Sequence, residues 1–331
     1  TEQRPKSQGS LFAFIRWSPG RAFCPRAPSL NFPPVIITRL VFYNPSSGSA
    51  WIGRRIAAAV QALISVPGTE AVATVPGAAR HQVRARLTSA ITRAYAIGGD
   101  GTVGDVAGAL ADTNVALGII PTGTTNVLAR EYGISLWTQR AVRQLEASAN
   151  TRRLRTWKVG DYTAVLGGGV GWDARVMWKS PTAMKRRMGR TGIAMVGLRE
   201  MACYEFPKLV VRGTDEHGAP VTLRGTSVIL ATVKRWAGGN TGIPQADPSD
   251  DLLDVVVLEP SSLVHIATFW ALMMIPGGRP LRLPGVRTAR LTRAVVESEA
   301  GHEVEAHVNG EGVAWTPFAL EPGGVVNVLV P

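Results

Sequence analysis

The chain has 331 residues, enough for about two domains with sizeable cores. Lys and Arg outnumber Asp and Glu by 36 to 24, and the resulting net charge of +12 favours an anionic partner: a nucleotide, a nucleic acid or an acidic membrane surface. Two cysteines, and five histidines without metal-ligand spacing, exclude a zinc cluster and a disulfide framework.

Residues 1–34 are basic, rich in proline and without hydrophobic periodicity, which predicts a disordered leader or a start site placed too far upstream. The apolar core at 11–15 is interrupted by Arg16, so a secretory signal is not expected. The longest apolar run, 266–276, is shorter than the ~18 residues of a membrane span. These features indicate a reducing, cytosolic environment.

From residue 35 to about 120 the apolar pattern alternates between strand and helix. The predicted strands are 35–43, 71–75, 94–97 and 115–120, and the predicted helices are 50–64, 80–93 and 103–110. This alternation predicts βαβ units on a mostly parallel sheet. In such sheets ligands bind beyond the carboxyl ends of the strands.

After about Thr156 short β-like runs follow one another, separated by Gly, Pro and Asp. The predicted strands are 163–166, 208–212, 227–233, 253–258, 286–292, 304–308 and 325–330, and the clearest helices are 192–204 and 262–275. This texture predicts a second, antiparallel β domain.

Three turns stand at the ends of predicted parallel strands: 44–48, 98–102 and 121–126. Glycines in such turns let backbone N–H groups approach an anion, and a following helix adds its positive N-terminal end. The first and third turns are weak signals alone. Gly-Gly-Asp-Gly-Thr at 98–102 is sharper, because a tight turn needs glycine but has no need of a carboxylate between glycines. The three together predict a phosphate ligand.

These ordered motifs resemble the diacylglycerol kinase catalytic-domain family, which includes sphingosine kinases and bacterial soluble lipid kinases and is distantly similar to NAD kinases. The segments that carry the resemblance are 43–48, 97–102, 118–131, 169–174, 244–254, 307–311 and 328–331. The Asn-Glu dipeptide of NAD kinases is absent from the sequence, which disfavours that activity.

The resemblance implies an α/β plus β fold, with ATP in a cleft between a Rossmann-like parallel α/β N-terminal domain and a C-terminal antiparallel β-sandwich. The implied boundaries are 35–156 for the nucleotide-binding domain, 157–315 for the lipid domain, and 316–331 for a terminal strand that returns towards the first domain. The implied activity is transfer of the γ-phosphate of ATP to a lipid hydroxyl, with Mg²⁺ as the metal. Diacylglycerol, giving phosphatidic acid, is the default acceptor, and sphingoid bases or other lipid alcohols are alternatives.

The resemblance also implies roles for single residues. Asp100 is the candidate general base, directly or through a Mg²⁺-bound water network, and Glu311 would close the site from the second domain. The nucleotide would contact Asn44, Ser47, Gly48, Gly98, Gly99, Gly101, Thr102, Thr124 and Asn126. The candidate Mg²⁺ ligands are Asp100, Asp105, Asp250 and Asp254. Without the resemblance, Asp105 is a helix N-terminal acid and Glu311 a hairpin residue. For Asp250 and Asp254, whose clustered oxygens suit a hard cation, an acidic turn that closes a strand is the alternative.

Several positions depart from the family pattern. A strand asparagine expected near Thr232 or Val233 is missing, and Asp105 stands where the family usually has Glu. Lys158 stands where the family often has Asp, Asn309 replaces the Asp of Asp-Gly-Glu, Asp251 replaces a Gly, and Val127 stands where many members have Asp. Loss of carboxylates weakens a metal network. A catalytically impaired protein that binds nucleotide or lipid is therefore an alternative to an active kinase.

Basic residues cluster in 175–190, with Met and Trp between them, and in 279–293. Each group is either a solvated face or a surface for docking on an anionic bilayer, where a basic residue contributes ~1 kcal/mol. A lipid kinase of this kind is expected to be cytoplasmic and peripheral at the inner face of the membrane. Nucleic-acid binding rests on charge alone and is not expected, and a homodimer stays open.

Overall fold

The three central strands of the first half are mostly buried apolar residues, as parallel strands covered on both faces require. The computed structural model describes residues 36–45, 50–75, 77–180, 182–236, 239–259 and 262–331, except for the side chains of 50 and 182–190. The first nine elements are β1 (Arg39–Tyr43), α1 (Ala50–Ile64), β2 (Thr69–Ala73), α2 (Ala79–Arg84), β3 (Arg93–Gly98), α3 (Asp100–Leu110), β4 (Ala116–Pro121), α4 (Val127–Glu131) and α5 (Thr138–Glu146).

The four strands β2-β1-β3-β4 are parallel, which confirms the predicted βαβ arrangement. The predicted helix over 80–93 was too long, because α2 ends at Arg84. The following residues turn so that Thr92 N donates to Thr38 O at 2.9 Å and Arg93 pairs with Arg39. The register of β3 with β1 therefore ends the helix early.

The second half adds most of the strands. In chain order its elements are β5 (Thr151–Val159), β6 (Tyr162–Ala164), β7 (Gly167–Val170), α6 (Trp172–Lys179), α7 (Thr182–Met201), β8 (Leu209–Asp215), β9 (Pro220–Gly225), β10 (Ser227–Ala231), β11 (Arg235–Trp236), β12 (Asn240–Thr241), β13 (Leu253–Leu258), α8 (Leu263–Met274), a 3₁₀ helix (Pro280–Arg282), β14 (Val286–Ser298), β15 (Glu305–Val308), β16 (Glu311–Trp315) and β17 (Phe318–Leu329). The sequence patterns did not predict β5, β9 or α6.

Antiparallel pairing joins β16-β15-β7-β10-β13-β14 in that order, which confirms the predicted antiparallel domain. One face of these strands buries Val170, Leu230 and Val255 in an apolar core. The opposite face buries Ile229 and Val256 beneath residues of α6 and α8. Among the described residues, no helix is both long and apolar enough to cross a membrane.

Strand β17 joins the two sheets. Its first residues pair antiparallel with β14, and Asn327 and Val328 pair parallel with Ala116 and Leu117 of β4. Its second half also pairs antiparallel with β5. The last strand of the chain thus completes the first sheet as well as the second.

The hairpin of β15 and β16 turns through Asn309 and Gly310, which have φ values of 52° and 82°. Positive φ at both positions is the geometry of a type I′ turn, for which Asn-Gly is the preferred pair. Asn309 Oδ1 accepts hydrogen bonds from the backbone N–H groups of Val165 and Leu166 at 2.9 and 3.0 Å. Its Nδ2 donates to Thr163 O at 2.7 Å. The Asn309 side chain is therefore fully used in fixing the hairpin.

Asn309→Asp, which restores the family's residue, is expected to lower the free energy of unfolding by about 1–2 kcal/mol at pH 7, because a carboxylate cannot donate to Thr163 O. The loss is expected to shrink at a pH where the new carboxyl is protonated. Denaturant unfolding at two pH values measures this. Asn150→Asp, at an exposed side chain, is the matched control. Equal stability of Asn309→Asp and the unaltered chain at pH 7 would contradict the assignment.

Candidate active site

The turn at 98–102 connects β3 to α3 at the carboxyl end of the parallel sheet, beside the loop that follows β4. Thr122 N donates to Gly98 O at 3.0 Å. A Cβ on Gly123 would lie 2.6 Å from the Cα of Gly99, so only glycine lets the two loops touch. The second and third predicted phosphate turns therefore form one continuous surface.

Asp100 fastens these loops together. Its Oδ2 accepts a hydrogen bond from Val127 N at 3.1 Å, and its Oδ1 accepts one from Leu128 N at 3.2 Å. Burial raises the pKa of the Asp100 carboxyl, and the amide donors of α4 oppose that rise. Both carboxylate oxygens are turned to the first turn of α4, rather than to the space above Gly101.

The predicted nucleotide contacts lie at the three turns that follow β1, β3 and β4. Asn126, at φ 48°, exchanges two hydrogen bonds with the backbone of Gly123, so its amide closes its own loop. Thr124 is exposed beside it, and the Thr102 side chain packs over Gly98. Asn44 follows β1 at the same edge of the sheet. Ser47 and Gly48 lie outside the described residues.

Glu311 reaches the turn from the second sheet. A Cβ on Gly101 would lie 2.8 Å from Glu311 Oε1, which places this carboxylate directly over the glycine. Asp105 lies one turn further along the same face of α3, since residues four apart share a face. Burial, and then the charge of Glu311, raise the pKa of the Asp105 carboxyl, while Arg80 lowers it. The carboxylates of Asp105 and Glu311 thus lie near enough for their charges to repel each other, an arrangement that a cation would stabilise.

A glycine face on α3 permits this approach. A Cβ on Gly104 would lie 3.0 Å from Asn309 Nδ2, and one on Gly108 would overlap Thr163. Together with Gly101, these residues repeat at i, i+3 and i+7, the spacing of one helix face. Sequence reasoning missed this face, although the spacing was there as a signal.

The predicted metal set is not assembled in one place. Asp100 and Asp105 are five residues apart on α3, about 140° around its axis, so their side chains diverge. Among the residues that the structure describes, no group of three or more Asp, Glu, His or Cys is placed to hold a metal ion.

Asp250 and Asp254 are held by Arg290. The Arg290 guanidinium is paired with Asp250, and its Nε lies 3.8 Å from Asp254 Oδ1. Asp254 is only 1% exposed and sits opposite Arg290 in the pairing of β13 with β14. Because a fixed cation already stands between them, these two carboxylates do not fit a Mg²⁺ pair. No local sequence pattern indicates that Arg290 is the partner, since the pairing depends on strand register.

The departures from the family pattern lie away from the acids over the turn. Lys158 is exposed on β5, opposite Glu321 and Thr163 on neighbouring strands. Asp251 pairs with Arg153 and Arg155 on the surface. Val127 contributes its backbone N–H to Asp100. The acids Asp105 and Glu311 are therefore both retained in spite of these departures and of Asn309.

Asp173 and His307 form a buried pair that sequence reasoning did not identify. His307 Nε2 lies 3.1 Å from Asp173 Oδ2, and the two residues are 3% and 6% exposed.

Comparison with known proteins gives the class. A family model described as the diacylglycerol kinase catalytic domain matches residues 38–159, and one described as the YegS C-terminal NAD kinase beta sandwich-like domain matches residues 149–330. The chain belongs to this family of diacylglycerol kinases and YegS-like lipid kinases. A kinase family implies ATP as the co-substrate.

Individual proteins that are similar to this chain carry names of the same family. A protein named diacylglycerol kinase from Mycobacterium tuberculosis (strain H37Rv) is 28% identical over 77% of this chain and 83% of its own length. A protein from Pseudomonas fluorescens (strain Pf-5), named "Probable lipid kinase YegS-like", is 30% identical over 75% of this chain and 81% of its own. A crystal structure of a diacylglycerol kinase from Bacillus anthracis str. Sterne shares the fold, with a TM-score of 0.67 at 18% identity, covering 89% and 97% of the two chains.

Asp100→Ala is expected to cost about 0.5–2 kcal/mol of stability, because the first turn of α4 loses its acceptor. It is also expected to weaken nucleotide binding, since the two loops are no longer tied. Thermal unfolding and equilibrium binding of an ATP analogue measure the two effects. Asp161→Ala, at an exposed residue, is the control. Unchanged unfolding together with unchanged binding would contradict the role given to Asp100.

Asp254→Asn is expected to raise the melting temperature at pH 8. Burial raises the pKa of Asp254 to about 6, above its unfolded value, with Arg290 opposing the rise. The stability that this carboxyl contributes is therefore present below about pH 4 and lost as the pH rises through about 6. The benefit of the neutral amide should accordingly grow from pH 4 to pH 8.

Asp251→Asn is the control of opposite sign. Burial raises the pKa of Asp251, but hydrogen bonds from Arg155 and Arg153 outweigh it and hold the pKa below its usual value. Substitution should therefore lower stability at pH 8, and this loss should shrink as the pH falls below about 4. A loss of stability in Asp254→Asn at pH 8 would show that Asp254 is stabilising as the anion.

Proposed function

We propose that the protein transfers the γ-phosphate of ATP to the hydroxyl of a membrane lipid, with diacylglycerol as acceptor and phosphatidic acid as product. The observation that carries this proposal is the placement of Glu311 over Gly101, at the turn between β3 and α3. Membership of a family whose relatives are named diacylglycerol kinase and lipid kinase supports the acceptor class.

Phosphoryl transfer requires alignment, charge neutralisation and an acceptor for the hydroxyl proton. In the proposed reaction the lipid oxygen bonds to the γ-phosphorus, the bond from that phosphorus to the β–γ bridging oxygen breaks, and ADP leaves. Glu311 takes the hydroxyl proton. It stands over a glycine, where no side chain separates it from the phosphates.

The remaining residues act by position. The loops at 98–102 and 122–126 touch and would surround the phosphates, with backbone N–H groups other than those of Thr122 and Gly123, which already donate within the loops. Asp100 holds those loops through α4 and is a positioning residue in this scheme. Asp105, whose carboxylate faces Glu311, would hold Mg²⁺ together with the ATP phosphates. When bound there, Mg²⁺ would neutralise phosphate charge.

The acceptor class implies a location. A diacylglycerol molecule resides in a bilayer, and ATP is a cytoplasmic solute, so we propose that the protein works in the cytoplasm, peripherally at the inner face of the membrane. The net charge of +12 supports attraction to an anionic inner leaflet.

The test uses γ-labelled ATP with diacylglycerol, monoacylglycerol or sphingosine in detergent micelles. We expect label in phosphatidic acid. Glu311→Gln is expected to lower kcat by about 10²–10⁴-fold, because the amide cannot take the proton. Glu303→Gln, at an exposed acid nearby in sequence, is the matched control and should retain activity.

Two results would overturn the proposal. If no lipid is labelled by the unaltered chain, the lipid-kinase function is wrong. If Glu311→Gln transfers phosphate as fast as Glu303→Gln, Glu311 is not the proton acceptor. Label on sphingosine alone would replace diacylglycerol by a sphingoid base.

A further inference from the structure

Helix α8 has an exposed face without charge. Its sequence from Leu263 to Met274 contains no Asp, Glu, Lys or Arg. Four outward residues, spaced as one helix face, are exposed: Val264, Thr268, Ala271 and, one residue past the helix end, Ile275. Val264 is 76% exposed and Ile275 is 54% exposed. We call this set the apolar face of α8. A surface helix in water ordinarily carries charged residues there.

The opposite side of α8 already provides its anchorage. Ile266, Phe269 and Met273 have no exposed surface and belong to the core beneath the helix. Trp270 packs on Trp172 of α6 with ring centroids 5.3 Å apart. The apolar face is therefore not required to hold the helix in place.

Other large apolar side chains are exposed on α7 and at the two ends of α8. In α7, whose Ile193 and Val196 pack against the same core as α8, Met195 is 61% exposed and Leu198 is 74% exposed. Leu263 and Met274, at the two ends of α8, are also exposed. Large exposed apolar side chains such as those of α8 indicate an interaction surface.

Two exposed arginines follow α8 in the chain. Arg279 and Arg282, just beyond α8, are exposed and form no ion pair with any described acid. The next arginines along the chain differ, because Arg287 is paired with Glu259 and Arg290 with Asp250. Arg279 and Arg282 are thus available to an external anion.

We propose that the apolar face of α8, with Arg279 and Arg282, docks on the surface of an anionic lipid bilayer. The helix lies in the plane of the interface, its apolar side chains enter the boundary of the acyl chains, and the two arginines meet lipid phosphates. A second copy of this chain is a poorer match, because it carries the same charge of +12. The choice of a bilayer rests on the proposed lipid-kinase function.

Sedimentation of the full chain with vesicles, without nucleotide, tests the docking surface. The vesicles contain phosphatidylcholine alone or phosphatidylcholine mixed with phosphatidylglycerol. We expect the unaltered chain to bind the anionic vesicles. Arg279→Gln and Arg282→Gln should each weaken this binding about fivefold, and the effect of each substitution should be smaller at high salt. Val264→Asp combined with Ile275→Asp is expected to weaken binding by about tenfold or more.

Matched controls carry the same chemical changes elsewhere. Val75→Asp alters a side chain that is 56% exposed at the end of β2, and Arg84→Gln alters an exposed arginine of α2. Both should bind vesicles as the unaltered chain does. Equal weakening by the controls, or full binding by the α8 and arginine variants, would overturn the docking surface.

Phosphate transfer separates this inference from the proposed function. The docking variants should retain transfer to diacylglycerol in detergent micelles within about twofold, and lose transfer to diacylglycerol in anionic vesicles in proportion to binding. Transfer in micelles without vesicle binding overturns the docking surface alone, whereas vesicle binding without transfer in micelles overturns the kinase function alone. A dimer that Val264→Asp dissociates, with vesicle binding unchanged, would assign the face to a second copy.

Discussion

Close packing between α3 and the β15–β16 hairpin is the constraint on which the site depends. Gly101, Gly104 and Gly108 remove side chains from one face of α3, and Glu311, Asn309 and Thr163 occupy the space that they leave. A larger residue on that face would push the hairpin away and withdraw Glu311 from the turn. The helix that begins with the candidate phosphate loop is thus also the surface on which the second half of the chain assembles.

Strand β17 makes that packing durable, because it belongs to both sheets. It pairs with β14 of the antiparallel sheet and with β4 and β5 of the first. The hairpin that carries Glu311 lies just before it in the chain, so hydrogen bonding along β17 limits how far the hairpin can move. The two halves of the site are therefore tied by backbone pairing as well as by side-chain contact.

Several acids that were candidate metal ligands have partners within the protein. Asp100 is satisfied by the amides of α4, and Asp250 is paired with the guanidinium of Arg290. The buried oxygens of Asp254 accept no hydrogen bond from a described residue, and Arg290 Nε lies 3.8 Å from one of them. Of the acids singled out from the sequence, Asp105 and Glu311 are the two exposed ones whose charges act on each other at the turn. Of the acids chosen by residue type, some therefore have structural roles and others remain available to substrate.

The sequence by itself determined the parallel sheet, the antiparallel second half and the turns at 98–102 and 121–126, because these follow from local periodicity and from glycine spacing. The family followed from the resemblance of its ordered motifs to known proteins. It could not decide which way Asp100 points, since that depends on how the loop after β4 meets the loop after β3. It could not pair Asp254 with Arg290 or seat Asn309 against Thr163, because both contacts depend on strand register between distant segments. Only the tertiary structure decided which carboxylates share a space, as side chains far apart in the chain meet only after both sheets close.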